Sequence, residues 1–255
     1  CITQVEAWMC NHQLKMNQTK TEFLIISSKQ QARKFQAPTI NIGDHTITPS
    51  SAAHNIGVTM DSHATMEAHV NSVCRSAYGQ LHNLSKLRKF IDWDSLEVII
   101  HAFVTTKLDF CNSVLCGIGS SLAAKLQWVQ NTDAQILTGH TRSDHITPVL
   151  RSLHWLPIQQ RIHFKILITV YKAINQTAPI YIQDLVQLRQ SSRTLRSSDQ
   201  LLLEVPFSRS TKATSQAFSI AGPALWNSIP VAIRRSSSLS MFKSKLKTHL
   251  FSGAY

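Results

Sequence analysis

The sequence has few of the residues on which common nucleotide-binding and hydrolytic motifs depend. Only eight of its 255 residues are glycine. Neither a Gly-x-Gly-x-x-Gly turn nor a glycine-rich loop ending in Lys-Ser/Thr occurs. No Gly-x-Ser-x-Gly elbow places any of the many serines for nucleophilic attack, and the twelve histidines are scattered over predicted helices and loops. We therefore assign no catalytic residue.

Acidic residues are also scarce, and none forms the closely spaced pair that holds two divalent ions for nucleotidyl transfer. The chain has 14 Asp and Glu, with no adjacent Asp pair. Asp92 and Asp94 come closest, on either side of Trp93. Asp94 with Glu97 three residues later is instead typical of a helix N-cap and its capping box. We expect no polymerase activity from this chain alone, and we predict neither a metal site nor a cofactor in it.

Long hydrophobic runs are missing as well. No segment approaches the roughly 20 apolar residues that a membrane-spanning helix needs. No basic segment with an apolar stretch after it, as in a secretory signal, follows Cys1. We therefore expect an intracellular protein, nuclear or cytoplasmic, that is neither secreted nor bound to a membrane.

Five cysteines, an odd number, do not indicate a disulfide framework. Cys111 and Cys116 are followed at the same internal spacing by His140 and His145, so a Cys₂His₂ zinc site is one interpretation. Structural zinc sites, however, usually have a closer first pair and a shorter central loop. We favour the alternative, in which the cysteines are buried as small hydrophobic side chains.

Positive charge is concentrated in the C-terminal part of the sequence. Residues 141–255 contain fifteen Lys and Arg but only four Asp and Glu, whereas residues 1–64 and 65–140 are close to neutral. An uneven basic charge is typical of proteins that bind a polyanion, most often nucleic acid. A solvated basic surface without such a partner is the alternative.

The first 64 residues alternate between α and β patterns. Residues 1–16 have an approximate apolar helical face. Apolar residues alternate on both sides of Gly43-Asp44, which predicts a hairpin over 39–47. A short apolar run at 23–26 suits a buried strand, and residues 56–60 continue the β character. We predict a small α+β region.

Helical spacing dominates the rest of the chain. Three amphipathic helices with short connections in residues 65–140 predict a helical bundle. Residues 158–174 are apolar on most sides, so we expect a central, buried helix there. The predicted fold class is therefore mainly α, with a helical bundle followed by a helical C-terminal region with loops.

The C-terminal region, residues 141–255, combines helices with irregular segments. We predict a short strand at 201–205, and a short helix or turn over 222–230. A last helix has an apolar stripe and solvated lysines on its other sides; the stripe is Leu239, Phe242, Leu246 and Leu250. Residues 189–198 are basic and serine-rich without an apolar period, which predicts a flexible loop. Arg193 and Arg196 in this loop suit phosphate oxygens, or they are simply solvated.

Seven segments, in a fixed order along the chain, resemble a known family. They are similar to segments of the reverse transcriptase of vertebrate non-LTR (LINE-type) retrotransposons. The segments are Asn17–Glu22, Ile56–Asp61, Lys107–Asn112, Leu126–Asn131, Asp144–Ile162, Arg193–Ser198 and Gly222–Pro230. Each motif is weak alone, and the specificity lies in the collinear set. The family's metal-binding aspartate pair is not among these segments and is expected upstream of Cys1. His54-Asn55-Ile56 departs from the family pattern, which more often has a basic residue and Leu there.

The resemblance implies the end of a palm at 1–64, a thumb at 65–140 and the family's C-terminal domain at 141–255. It implies RNA, DNA or an RNA–DNA hybrid as the partner, with Mg²⁺ needed only by the full-length RNA-directed DNA polymerase. Lys86, Arg88 and Lys89, at the end of the first thumb-like helix, are the expected contacts to a primer–template duplex. Lys20 matches the family lysine that lies near the phosphates of the incoming nucleotide.

Two other hypotheses come from different functional classes. A non-enzymatic helical module with a basic surface would bind a protein or another acidic surface without nucleic acid. A complete small enzyme of unknown type is the third, for which the sequence offers no catalytic constellation.

Overall fold

The computed structural model describes residues 1–34, 38–43, 45–189, 200–208 and 216–255. Within these residues the protein is mainly helical with a small N-terminal strand region, so the predicted fold class is confirmed. The chain forms two compact units, residues 1–71 and residues 72–255. The predicted division into 1–64, 65–140 and 141–255 stays a prediction.

The first unit contains short helices and strands joined by tight turns. Its elements are α1 (Ile2–Asn11), β1 (Phe23–Leu24), α2 (Lys29–Ala32), β2 (Ile40–Ile42), β3 (His45–Ile47), β4 (Pro49–Ser50), β5 (Ala52–Asn55) and β6 (Val58–Asp61). β2 and β3 pair antiparallel with Ile40 opposite Ile47, which confirms the predicted hairpin. Gly43 in its turn has a φ of +56°, a conformation that glycine adopts without strain. Asp44 lies outside the described residues.

The strand predicted at residues 56–60 is partly wrong. Ile56 and Gly57, with φ of +45° and +79°, form the turn of an antiparallel hairpin between β5 and β6. Ile56 is therefore exposed, and the strand begins at Val58. Strand β5 was not predicted because Ala52-Ala53-His54-Asn55 has no alternation of apolar and polar residues.

The second unit is built from helices. α3 (Glu67–Leu87) begins in the first unit and continues into the second. The helices that follow are α4 (Trp93–Ile100), α5 (Thr106–Asp109), α6 (Ser120–Thr138), α7 (Ile146–Ser152), α8 (Ile158–Ile174), α9 (Ile180–Gln183), α10 (Phe218–Ser228), α11 (Val231–Arg234) and α12 (Leu239–Ala254). A π-helical turn, His101–Thr105, connects α4 to α5, and 3₁₀ turns span Arg88–Phe90 and Asn112–Leu115. In the described parts of the chain, no helix is both long and apolar enough to cross a membrane.

The start of α4 corrects one sequence prediction. Asp92, with extended backbone, is the N-cap, and its carboxylate accepts a hydrogen bond from the Ser95 N–H at 2.9 Å. Asp94 lies inside the first turn, where a carboxylate still favours the positive end of the helix dipole. Glu97 lies 3.7 Å from the His101 ring and closes no capping box. The N-cap assigned to Asp94 is therefore wrong, because the helix extends back to the earlier aspartate.

Helix α8 is central and buried, as predicted, and it has the predicted bounds. It packs against α6, α10 and α12. Tyr171 of α8 stacks on Phe242 of α12 with ring centroids 4.4 Å apart, and its hydroxyl donates to the Ser236 carbonyl at 3.0 Å. Phe242 and Leu246 are fully buried, so the predicted apolar stripe of the last helix is confirmed at its centre. Helices on both sides of residue 140 thus share one core.

Candidate nucleic-acid interface

Two of the segments that carry the family resemblance meet at an ion pair in the second unit. Arg161, on α8, binds both carboxylate oxygens of Asp109, the last residue of α5. The Asn112 amide donates to the same carboxylate at 3.2 Å. A guanidinium that donates two hydrogen bonds to one carboxylate fixes the relative orientation of the two groups as well as the distance between them. This contact therefore holds α8 against the turn that follows α5.

A third segment joins them through the glutamines of α6. Gln127 accepts a hydrogen bond from the Ile158 N–H at 3.0 Å, and buried Gln130 donates to the Leu156 carbonyl at 2.9 Å. Ile158 is the first residue of α8, and the first N–H groups of a helix have no partner within that helix. These motif residues thus position the backbone at the start of α8. They therefore have a structural role.

Asp133, also on α6, is a buried acid. It is 1% exposed, and neither of its carboxylate oxygens has a hydrogen-bond partner among the residues that the structure describes. Burial raises the pKa of Asp133 to about 8, although the positive charge of Arg161 acts in the opposite direction. The side chain is therefore mostly protonated and neutral at pH 7.

The segment resembling the family at residues 222–230 also has a structural role. It lies within α10 and the turn after it, so the predicted short helix is in fact longer. The Trp226 indole N–H donates to the Leu201 carbonyl at 2.8 Å. Asn227 exchanges two hydrogen bonds of 2.9 Å with the backbone of Leu203. The strand predicted at 201–205 is wrong in extent: among the described residues one bridge joins Leu203 to Leu188, through hydrogen bonds made by Leu202 and Glu204. Asn227 occupies both the N–H and the carbonyl of Leu203.

In the first unit, the Asn17–Glu22 segment forms a compact turn. Asn17 caps a 3₁₀ turn by accepting the Lys20 N–H at 3.2 Å, and the Glu22 carboxylate accepts the His54 N–H of β5 at 2.7 Å. The Lys20 side chain is exposed. The segment thus anchors its ends and presents its lysine to solvent.

Asp61, the acid of the second family-like segment, organises the connection from β6 to α3. It accepts hydrogen bonds from the backbone of His63, Thr65 and Met66 and from the Thr65 hydroxyl. Burial by itself would raise the pKa of Asp61, but these hydrogen bonds outweigh it and lower the pKa below its ordinary value. Asp61 is therefore a structural carboxylate.

The three basic residues predicted to contact a duplex lie together where α3 ends. Lys86, Arg88 and Lys89 are all exposed. The Lys89 ammonium lies 4.9 Å from the centre of the Phe90 ring, which is itself exposed. Arg88 differs from its neighbours, because its guanidinium turns towards Gly139 at the end of α6. Arg193 and Arg196 lie outside the described residues, and their phosphate contacts stay predictions.

A basic residue that was not singled out from the sequence lies near Arg88. Arg142 and Arg88 both line a groove between α3 and the loop after α6. Gly139 in the left-handed conformation (φ +81°) turns the chain back at the end of α6. A glycine directly after a helical pattern is the usual signal for such a C-cap. That signal was present in the sequence, but it does not specify which other helix the loop approaches.

Cys111, Cys116, His140 and His145 are the candidate zinc ligands of the sequence. Cys116 is buried, which raises the pKa of its thiol, whereas Cys111 is exposed in a turn. The His140 ring contacts the Thr138 hydroxyl at 2.8 Å. Among the described residues, no three His, Cys, Asp or Glu side chains group to hold a metal ion. The expectation of no zinc remains a prediction, which elemental analysis of the purified protein tests.

Comparisons of the chain with protein-family models, curated proteins and solved structures each found no match. The resemblance to a reverse transcriptase therefore depends on the collinear segments of the sequence itself.

Proposed function

We propose that this chain is the C-terminal part of a non-LTR (LINE-type) retrotransposon reverse transcriptase, with the end of a palm, a thumb and the following domain. Its role is to hold nucleic acid, and it lacks the aspartate pair for catalysis. One observation carries the proposal: residues from several family-like segments make the hydrogen bonds and the ion pair that hold the second unit together. Asp109, Gln130 and Arg161 come from three such segments and join elements that are distant in sequence. A set of motifs with a shared structural role is unlike a chance set of matches.

The proposed contact to a primer–template duplex is at the end of α3. Lys86 and Lys89 are exposed there, and no carboxylate among the described residues forms an ion pair with either. An RNA–DNA hybrid has an A-like shape and offers a protein sugars and phosphates instead of readable base edges. Contacts to phosphates position a duplex without recognising its sequence. We therefore expect binding that depends on duplex shape and on salt.

Lys20 has a more limited role in the proposal. In the family it lies near the phosphates of the incoming nucleotide, which are held by metal ions on the palm aspartates. This chain has no such pair, so without those ions Lys20 is one of several exposed positive charges in the first unit.

A second candidate function is a helical protein-interaction module, and three exposed apolar side chains favour it. Val98, Phe103 and Phe110, along α4, the π-helical turn and the end of α5, are each about half exposed or more. Exposed apolar patches of this kind are found at protein–protein contacts. This candidate requires no affinity for nucleic acid, which separates it from the first.

The experiment compares two double variants that remove equal charge. Lys86→Ala/Lys89→Ala removes the proposed duplex contacts, and Lys243→Ala/Lys247→Ala removes two exposed lysines of α12. Affinity is measured by fluorescence anisotropy for an RNA–DNA hybrid and for a single strand of the same sequence. We expect the first variant to weaken hybrid binding more than single-strand binding, and the second to affect both equally. Equal effects of the two variants on the hybrid would refute the duplex contact, and no binding by folded wild-type protein would refute the proposed function.

A further inference from the structure

A groove of about 620 Å³ lies between α3 and the C-terminal part of α6. Tyr78, His82 and Ser85 form one wall, and Thr132 and Gln135 form the other. Its end is closed by residues 139–142. Sites for small ligands have volumes of about 300–1,000 Å³, so the groove has room for one or two nucleotides but not for a duplex.

The groove is positively charged. Arg88 and Arg142 both line it, together with His82 and His140. No Asp or Glu is among the described residues that form its walls, and neither arginine has an ion-pair partner in the described parts of the chain. Guanidinium groups donate several hydrogen bonds in a fixed geometry that matches phosphate oxygens. The charge and the chemistry of the groove therefore suit a phosphate backbone.

The two arginines lie on a loop and a turn whose backbone is held in place. The Gln135 amide donates to the Thr141 carbonyl at 3.1 Å, and the Asp144 carboxylate accepts the Thr141 N–H at 2.6 Å. Arg88 packs closely on Gly139, so that a Cβ at this position would lie 3.1 Å from the guanidinium carbon. A ligand site is more effective when its groups are held by other contacts before binding. Here Gln135 and Asp144 hold the backbone next to Arg142, and Gly139 contacts Arg88.

One exposed aromatic side chain lines the same groove, and a second lies one helical turn from its wall on α6. Tyr78 lines it and is 41% exposed, and Trp128 is 62% exposed. Trp128 is four residues before Thr132 on α6, and residues four apart lie on the same side of a helix. A basic groove with exposed aromatic rings is the usual arrangement for single-stranded nucleic acid, in which unpaired bases stack on the rings.

We propose that this groove binds single-stranded RNA or DNA. Arg88 and Arg142 contact backbone phosphates, and Tyr78 and Trp128 stack against unpaired bases. The inference builds on the proposed nucleic-acid function and adds a second site, which differs from the duplex contact at Lys86 and Lys89. In this arrangement, a strand that leaves a duplex is held apart from the paired region.

The test uses the full chain and a fluorescent single-stranded RNA of about twelve nucleotides, with an RNA–DNA hybrid of the same sequence for comparison. Trp128→Ala removes the proposed stacking ring next to the groove, and Arg142→Ala removes a cation that lines it. Trp93→Ala and Arg151→Ala are the matched controls, because both residues are exposed and lie on other helices, α4 and α7. Thermal melting of each variant shows that it is folded.

We expect Trp128→Ala to weaken single-strand binding by roughly five- to a hundredfold, as for the loss of one stacked base. Arg142→Ala should reduce the log–log salt slope for the single strand by about 0.7. For both variants, the affinity for the hybrid should change less than the affinity for the single strand. If both variants bind the single strand like their controls while the hybrid still binds, or if they weaken both ligands equally, the single-strand site is refuted and the proposed function stands. If folded wild-type protein binds neither ligand, both proposals are refuted.

Discussion

The Arg161 guanidinium and the Asp109 carboxylate form a two-pronged ion pair across 52 residues of sequence. The pair is partly shielded from solvent, with the arginine side chain 18% exposed and the aspartate 34%. Removal of one partner leaves the other charge partly buried without compensation, which is costly. The pair therefore stabilises the position of α8, around which the second unit is built.

The first prediction concerns this pair. Asp109→Ala should lower the free energy of unfolding by about 1–3 kcal/mol, since the partly buried Arg161 charge loses its partner and solvent screens part of the cost. Asp184→Ala, at an exposed position, should change it by less than about 0.5 kcal/mol. Urea denaturation followed by circular dichroism measures both. An Asp109→Ala protein as stable as the control would show that the pair contributes nothing to the fold.

The second prediction follows from the protonated Asp133. The folded protein keeps this proton up to about pH 8, whereas the unfolded chain releases it near the ordinary pKa of 3.8. The folded state therefore binds more protons between these values, and the stability of the wild type falls as the pH rises through this range. Asp133→Asn cannot ionise, so its stability relative to the wild type should increase by up to about 1.4 kcal/mol per pH unit.

The measurement is the free energy of unfolding of Asp133→Asn and wild type from pH 4 to pH 8. The two proteins should differ least near pH 4, where ionisation of Asp133 in the unfolded chain is only half complete, and most near pH 8. Asp184→Asn is the control for loss of an exposed carboxylate. Parallel pH profiles for Asp133→Asn and wild type would mean that Asp133 is ionised in the folded protein.

The third prediction uses two glycines of different environment. Gly139→Ala should lower the free energy of unfolding by about 1–2 kcal/mol, because alanine is strained at a φ of +81° and its Cβ would displace Arg88. Gly79→Ala, on α3 with no atom near the added Cβ, should stabilise by about 0.5–1 kcal/mol. Thermal denaturation of both variants decides this. We expect Gly139→Ala to lower the melting temperature and Gly79→Ala to raise it. A Gly139→Ala protein as stable as the wild type would contradict the close approach of Arg88.

The fourth prediction concerns catalysis. The chain contains no adjacent carboxylate pair, and nucleotidyl transfer needs two closely held metal ions. We therefore expect no primer extension with Mg²⁺ or Mn²⁺ on an RNA or DNA template. Templated incorporation by the purified, isolated chain would show that other residues supply the metal ligands.

Long periodic segments were predictable from the sequence. Helix α8 has the predicted bounds because residues on most of its sides are apolar. The hairpin of β2 and β3 followed from alternation around a glycine turn. The N-cap predicted for α4 was two residues too late, since Asp92 and Asp94 have the same capping chemistry and only the structure distinguishes them.

Contacts between distant side chains and backbone were not predictable. Asn227 satisfies the backbone of Leu203, and Gln130 satisfies the carbonyl of Leu156, yet neither asparagine nor glutamine has a local pattern that identifies its partner. The groove at Arg88 and Arg142 depends on the approach of α3 to the end of α6, over about 50 residues of sequence. Periodicity determines which side of a helix is buried but not which helix covers it.

The most direct test of the proposed function is a salt titration of wild-type protein with an RNA–DNA hybrid. Each phosphate that the protein neutralises adds about −0.9 to the log–log slope on duplex DNA, so about five contacts give a slope of roughly −4 to −5. We expect measurable affinity at low salt, a steep slope of this order and little dependence on sequence. Well-folded protein that binds neither hybrid, duplex nor single strand at low salt would contradict it.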